Sequence, residues 1–110
     1  MTNRPQVFVD AGYRDGAAGL GLWLPAIGTG VALRARSETN NEAETLAIFL
    51  GLAVGRLMYL EHTLILTDSM HNVAKLAGAM PSPEHEIEWR PRAATSLADF
   101  FASLALEGKS

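Results

Sequence analysis

The sequence predicts an α/β domain built on a mixed five-stranded sheet with about three flanking helices. Three observations carry that prediction. The first 36 residues alternate short β-rich runs with turn residues, a long helical pattern opens at Thr39, and Leu64-Ile65-Leu66 is a short run apolar on both faces.

Val7-Phe8-Val9 is β-rich and ends at Asp10, after which Gly12, Asp15 and Gly16 supply the turn of a hairpin. Gly19 to Leu24 resumes the extended pattern. Pro25 and Gly28 mark a second turn, and Val31, Leu33 and Ala35 then alternate with Ala32, Arg34 and Arg36, the period of a third strand with one polar face. These three strands read as an antiparallel meander. Thr39-Asn40-Asn41-Glu42 has the spacing of a capping box, in which the threonine hydroxyl and the glutamate satisfy amides at the helix start, and the helix runs to about Tyr59. Leu64 to Leu66 has the pattern of a central parallel strand. Val73, Leu76, Ala77 and Met80 then recur at helical spacing before Pro81 and Pro83, Ile87 and Trp89 suggest a fifth strand, and Leu97, Phe100, Phe101 and Leu104 give a closing amphipathic helix. The element order is βββαβαβα. A right-handed crossover through the long helix lays the fourth strand parallel to the first.

The 110 residues are expected to form a single domain, 1–110, because a chain of this size organises one core. With 48% hydrophobic residues and 19% charged, composition excludes a disordered or low-complexity chain. A net charge of −3 provides no global basic field, so a polyanionic partner calls for a local patch and a bound cation. The absence of cysteine excludes a disulfide scaffold, a thiolate zinc site and a cysteine nucleophile together. A reducing, cytoplasmic setting is the expectation, and no signal-peptide pattern or membrane span is read from the residues.

The crossover places Asp10 and Asp68 at matching carboxyl ends of neighbouring strands, the edge of an open α/β sheet where ligands bind. Each has an ordinary alternative, Asp10 as a turn residue and Asp68 as a helix cap. Glu42 belongs to the capping box. Glu44 shares a helix face with Ala47, Ile48, Gly51 and Gly55, a stripe of mostly small residues that suggests close packing on the sheet and points Glu44 toward the strand ends. Asp99, three residues after Ser96, also fits a capping or dipole partner in the first turn of the last helix. Four carboxylates at one edge repel unless divalent cations neutralise them, and an all-oxygen donor set selects Mg²⁺ or Mn²⁺ over zinc.

These residues resemble the type 1 ribonuclease H proteins. The resemblance runs through Val7-Phe8-Val9-Asp10 with its Gly-rich turn, Thr39-Asn40-Asn41-Glu42-Ala43-Glu44 at a helix start, Leu66-Thr67-Asp68-Ser69, and Ala98-Asp99. It covers essentially the whole chain and implies the family's ribonuclease H-like sheet order, 3-2-1-4-5. It further implies hydrolysis of the RNA strand of RNA/DNA hybrids, with Asp10, Glu44, Asp68 and Asp99 as catalytic residues holding two Mg²⁺ ions, Mn²⁺ being the substitute. Glu44 is then expected to contact the 2′-hydroxyl side of the RNA strand. Asn40, Asn41, Ser69, Arg90 and Arg92 are the candidate nucleic-acid contacts, Asn40 and Asn41 fitting helix-entry residues equally well.

The sequence also departs from the family pattern. The interval between Asp68 and Asp99 holds only one short helix and one strand, so the extra helices and basic protrusion of larger members are expected to be absent, leaving substrate grip to a homodimer or an accessory partner. The loop Pro91 to Ser96 carries no histidine where many members have one; Arg92 stands there. Two other readings stay open: a non-catalytic nucleic-acid-binding module of the same fold, and a nuclease of that fold acting on double-stranded RNA or DNA junctions.

Overall fold

The computed structural model describes residues 5–59, 63–76 and 85–107. Strand β1 (Gln6–Arg14), β2 (Ala17–Leu24) and β3 (Thr29–Arg36) form the meander, followed by helix α1 (Asn40–Tyr59), β4 (Thr63–Thr67), α2 (Met70–Leu76), β5 (His85–Trp89), a short 3-10 turn at Arg92–Thr95, and α3 (Ser96–Glu107). The strands order as β3-β2-β1-β4-β5, antiparallel through the meander and parallel from β1 to β4 to β5. This is the element order and sheet order expected. Ala77, Met80 and the two prolines assigned to the end of the second helix lie outside the described residues.

One strand boundary and one burial differ from expectation. β1 does not end at Asp10 but continues to Arg14, pairing with β2 as far as Arg14↔Ala17. Asp15 and Gly16, both at positive φ (49° and 79°), make the reversal, and this mirror-image turn matches strand twist tightly enough that the ladder forms up to its edge. In β3, Leu33 is 46% exposed rather than buried, because β3 is the sheet's edge strand; Val31 and Ala35 alone of that face reach the core.

Helix α1 covers one face of the sheet. Ala43, Ala47, Ile48 and Leu52 pack with Val7, Val9, Leu20, Leu22 and Ile65 into the main core. Gly51 and Gly55 make that approach close, since a methyl at Gly51 would stand 2.7 Å from Val9 Cγ1 and one at Gly55 2.6 Å from Thr63 Cγ2. Helix α3 covers the other face. Its seat is a row of glycines: a side chain at Gly19 or Gly21 would overlap backbone atoms of Ala98 or Ala102, and one at Gly30 the ring of Phe101. Phe101 also stacks on Trp23, with ring centroids 6.3 Å apart. All five residues of β4 are buried, as a central parallel strand requires. Among the described residues no helix is long and apolar enough to cross a membrane.

Candidate metal centre

The register of the parallel pair sets up the site. Pairing of β1 with β4 ends at Phe8↔Leu66, so Asp10 and Asp68 each stand two residues past the last paired position and lie level with one another. Asp10 is in mid-strand with respect to β2, where its partner is Gly21, and at the open end of the ladder with respect to β4. On the opposite side, the capping box fixes the start of α1: the Glu42 N–H donates to Thr39 Oγ1 at 3.0 Å, and Glu42 Oε1 accepts from the Glu38 N–H at 3.3 Å. That holds Glu44, one turn inside the helix, over the strand ends.

One carboxylate oxygen from each of Asp10, Glu44 and Asp68 lies within 4.8 Å of the others. Asp10 is only 5% exposed. Its Oδ1 accepts the Ala11 N–H at 2.8 Å, while Oδ2 is buried without a hydrogen-bond partner. Burial first, and then the negative charge of Asp68, push the Asp10 carboxyl from 3.8 up to about 7, against the pull of the Ala11 amide. Asp99, exposed in the first turn of α3, lies outside the close triplet but near enough to Asp10 to add to that upward push. A buried acceptor without a donor, facing two further carboxylates, is an electrostatic debt that a hard divalent cation cancels; the donor set fits Mg²⁺ or Mn²⁺.

Neither a protein-family model nor a curated protein sequence matches the chain. Solved structures do. The crystal structure of RNase H1 from the halophilic archaeon Halobacterium salinarum superimposes with a TM-score of 0.77 at 22% identity, over 97% of this chain and 100% of that one. An RNase H1 isolated from compost by a metagenomic approach gives 0.80 at 19% identity, over 96% and 97%. That compost protein in complex with an RNA/DNA hybrid gives 0.78 at 17% identity, over 94% and 97%. The chain has the ribonuclease H fold.

Within the ribonuclease H fold, the remaining expected residues fall into distinct settings. Asn40 and Asn41 are exposed at the opening of α1, beside Glu44 in the chain. Arg92 Nε lies 3.4 Å from Asp68 Oδ2, its side chain 85% exposed. Arg90 is turned to Glu88, at 2.9 Å, and donates to the Trp89 carbonyl. Ser69 is buried, and its hydroxyl accepts both the N–H of Asn72 (3.3 Å) and its side-chain Nδ2 (2.9 Å). Ser69, rather than Asp68, therefore caps α2, which leaves the Asp68 carboxylate turned to the cluster.

Sequence reasoning missed Thr45 and Asn72, which hydrogen-bond to each other at 2.9 Å behind the carboxylates. The spacing Ser69-x-x-Asn72 was the available signal, an N-cap followed by a polar residue three positions on.

Proposed function

We propose that this chain is a type 1 ribonuclease H, a metal-dependent endonuclease that hydrolyses the RNA strand of RNA/DNA hybrids. The observation that carries the reading is the convergence of Asp10, Glu44 and Asp68 on one point at the open end of the β1–β4 ladder, with a buried Asp10 oxygen lacking a donor. The whole-chain likeness to RNase H1 structures, one holding an RNA/DNA hybrid, supports the same substrate class.

Asp10, Glu44 and Asp68 would hold Mg²⁺, or Mn²⁺ in its place, and Asp99 would complete the set by joining from α3. Bound there, two ions supply an activated water and charge neutralisation at the departing 3′-oxygen. The chain's own contribution is placement. Rigid β1 and β4 present Asp10 and Asp68 at fixed separation, and α1 presents Glu44 on the side where a ribose 2′-hydroxyl distinguishes RNA from DNA. Asn40 and Asn41, exposed at the mouth of α1, serve the minor-groove side of the hybrid, and Arg92 supplies a positive charge beside Asp68 for the phosphate backbone. Arg90, paired with Glu88, contributes at the periphery. Ser69 orders the Asp68 turn from within. The reading carries with it a single-domain, cytoplasmic protein whose weak basic surface is supplemented by a second copy or an accessory partner.

The test is a cleavage assay on matched RNA/DNA, RNA/RNA, DNA/DNA and single-stranded RNA substrates with Mg²⁺, Mn²⁺ or EDTA, beside Asp68→Asn. Cleavage of the hybrid alone, lost in EDTA and in the variant, is the expected result. Cleavage of another duplex would replace the substrate assignment, and binding without cleavage of any substrate would overturn the enzymatic one.

A further inference from the structure

Asn72, beside the carboxylates, is a fully enclosed polar side chain at 0% exposure. An amide in that position costs the fold free energy unless both of its ends are bonded, and a branched aliphatic side chain would fill the space without that requirement. Here both ends are bonded. Oδ1 lies 2.9 Å from Thr45 Oγ1, whose one proton is shared with the Asn41 carbonyl at 3.0 Å, and Nδ2 donates to Ser69 Oγ at 2.9 Å. The two partners are not arbitrary: Thr45 follows Glu44 in α1, and Ser69 follows Asp68 at the end of β4. The main-chain N–H of Asn72 also donates to Ser69 Oγ, at 3.3 Å, so the same hydroxyl caps the helix that carries Asn72.

We propose that Asn72 is a positioning residue whose buried amide fastens the start of α1 to the start of α2 and so fixes the separation of the Glu44 and Asp68 carboxylates. The inference rests on the metal-centre reading above. Glu44 stands near the start of α1 and Asp68 just past the end of β4, and the two reach the cluster from different sides. Packing alone permits a helix to slide by fractions of an ångström along an apolar surface, whereas a directional bridge between the residues next to each ligand resists both sliding and rotation. Cation affinity is sensitive to such displacements, and removing an outer hydrogen bond that orients a ligand lowers it by about 10–100-fold.

The experiment titrates Mn²⁺ alone into the full chain, following free Mn²⁺ by electron paramagnetic resonance, for wild type, Asn72→Val, Thr45→Val and the double variant. Circular dichroism in EDTA checks that each is folded. Asn72→Val replaces the amide by an aliphatic group and removes both side-chain bonds. It is expected to weaken Mn²⁺ binding at least tenfold and to lower kcat on hybrid with KM little changed. Thr45→Val should show part of that loss, and the double variant no more than Asn72→Val alone, because the two residues act through one bond. Mn²⁺ affinity within twofold of wild type in folded Asn72→Val would overturn the proposal, as would losses that multiply in the double variant. Should Asn72→Val not fold, Thr45→Val decides: unchanged affinity there overturns it. Failure of the wild type to bind Mn²⁺ would instead remove the metal-centre reading itself, so the two failures are distinguishable.

Discussion

Asp10 faces Gly21 across the β1–β2 ladder, and the missing side chain at Gly21 is what admits α3 close enough to bring Asp99 toward Asp10. A methyl at Gly21 would meet the Ala98 carbonyl oxygen and the Ala102 nitrogen, both backbone atoms that cannot swing aside. Gly21→Ala is therefore expected to cost about 3 kcal/mol or more, the upper range for overpacking a close-fitted interface. Urea denaturation checks this through a lowered midpoint at unchanged slope. A loss below about 0.5 kcal/mol, within the range of neutral surface changes, would mean that α3 is not seated on this glycine.

The protonation of Asp10 gives the metal-free protein a pH dependence whose sign is fixed. Its folded-state pKa of about 7 lies above the ordinary 3.8, so between those values the folded chain retains a proton that the unfolded chain has released. Stability in EDTA should then be fully present below about pH 4, decline as pH rises toward 7, and level off above it. Asp10→Asn removes the ionisable group and should flatten that decline, leaving the variant more stable than wild type at pH 8 by on the order of a few kcal/mol. Thermal melts at pH 5 and pH 8 decide it; a slope that survives in Asp10→Asn assigns the effect to other groups.

Divalent cation should reverse the penalty at high pH. A ligand that binds only the folded state stabilises by about 2.7 kcal/mol at one hundred times its dissociation constant. Wild type at pH 8 is expected to melt several degrees higher in saturating Mg²⁺ or Mn²⁺ than in EDTA, and Asp68→Asn to lose most of that rise. Equal shifts in the two proteins, read by calorimetry, would locate cation binding elsewhere.

Arg92 offers a test of substrate contact separate from stability. With its side chain 85% exposed, its 3.4 Å approach to Asp68 holds little free energy in water, and Arg92→Ala should leave the urea midpoint within about 0.5 kcal/mol of wild type. If the guanidinium meets a phosphate of the hybrid, KM rises severalfold and the slope of log affinity against log salt falls by about one. An unchanged salt slope would confine Arg92 to its neighbour Asp68.

Much of the fold was legible because its signals are local. Thr39 and Glu42 announce the start of α1, the unbroken apolar run of β4 reports its burial on both faces, and the glycines of α1 report the close approach to Val9 and Thr63. The continuation of β1 past Asp10 was not legible. Gly12 reads as a turn residue by itself, and only the arrival of Leu106 from α3, distant in sequence, explains a glycine inside a strand. The seat of α3 on Gly19, Gly21 and Gly30 was hidden for the same reason. At the site, Asp10 and Asp68 were visible as carboxylates at strand ends and Glu44 on the small-residue face of α1; strand register sets the first two level and α1 brings the third to them, while Asp99 of the four expected stays outside the triplet. The Thr45–Asn72 bridge was not, since a hydrogen bond between two helices leaves no periodicity in either.

The carboxylate cluster straddles the line where the antiparallel meander meets the parallel half of the sheet. Strands β1 to β3 are joined by tight turns and so pair with near neighbours in the chain, whereas β4 finds β1 only after the whole of α1 has been traversed. Pairings that close a long loop carry the larger entropic cost of formation. Asp10 belongs to the locally paired half and Asp68 to the long-range one, so a cation bound between them would act as a clasp on that seam: amide exchange in β4 should slow on metal binding far more than exchange in β2, and the protein would resist partial opening most when the cluster is loaded.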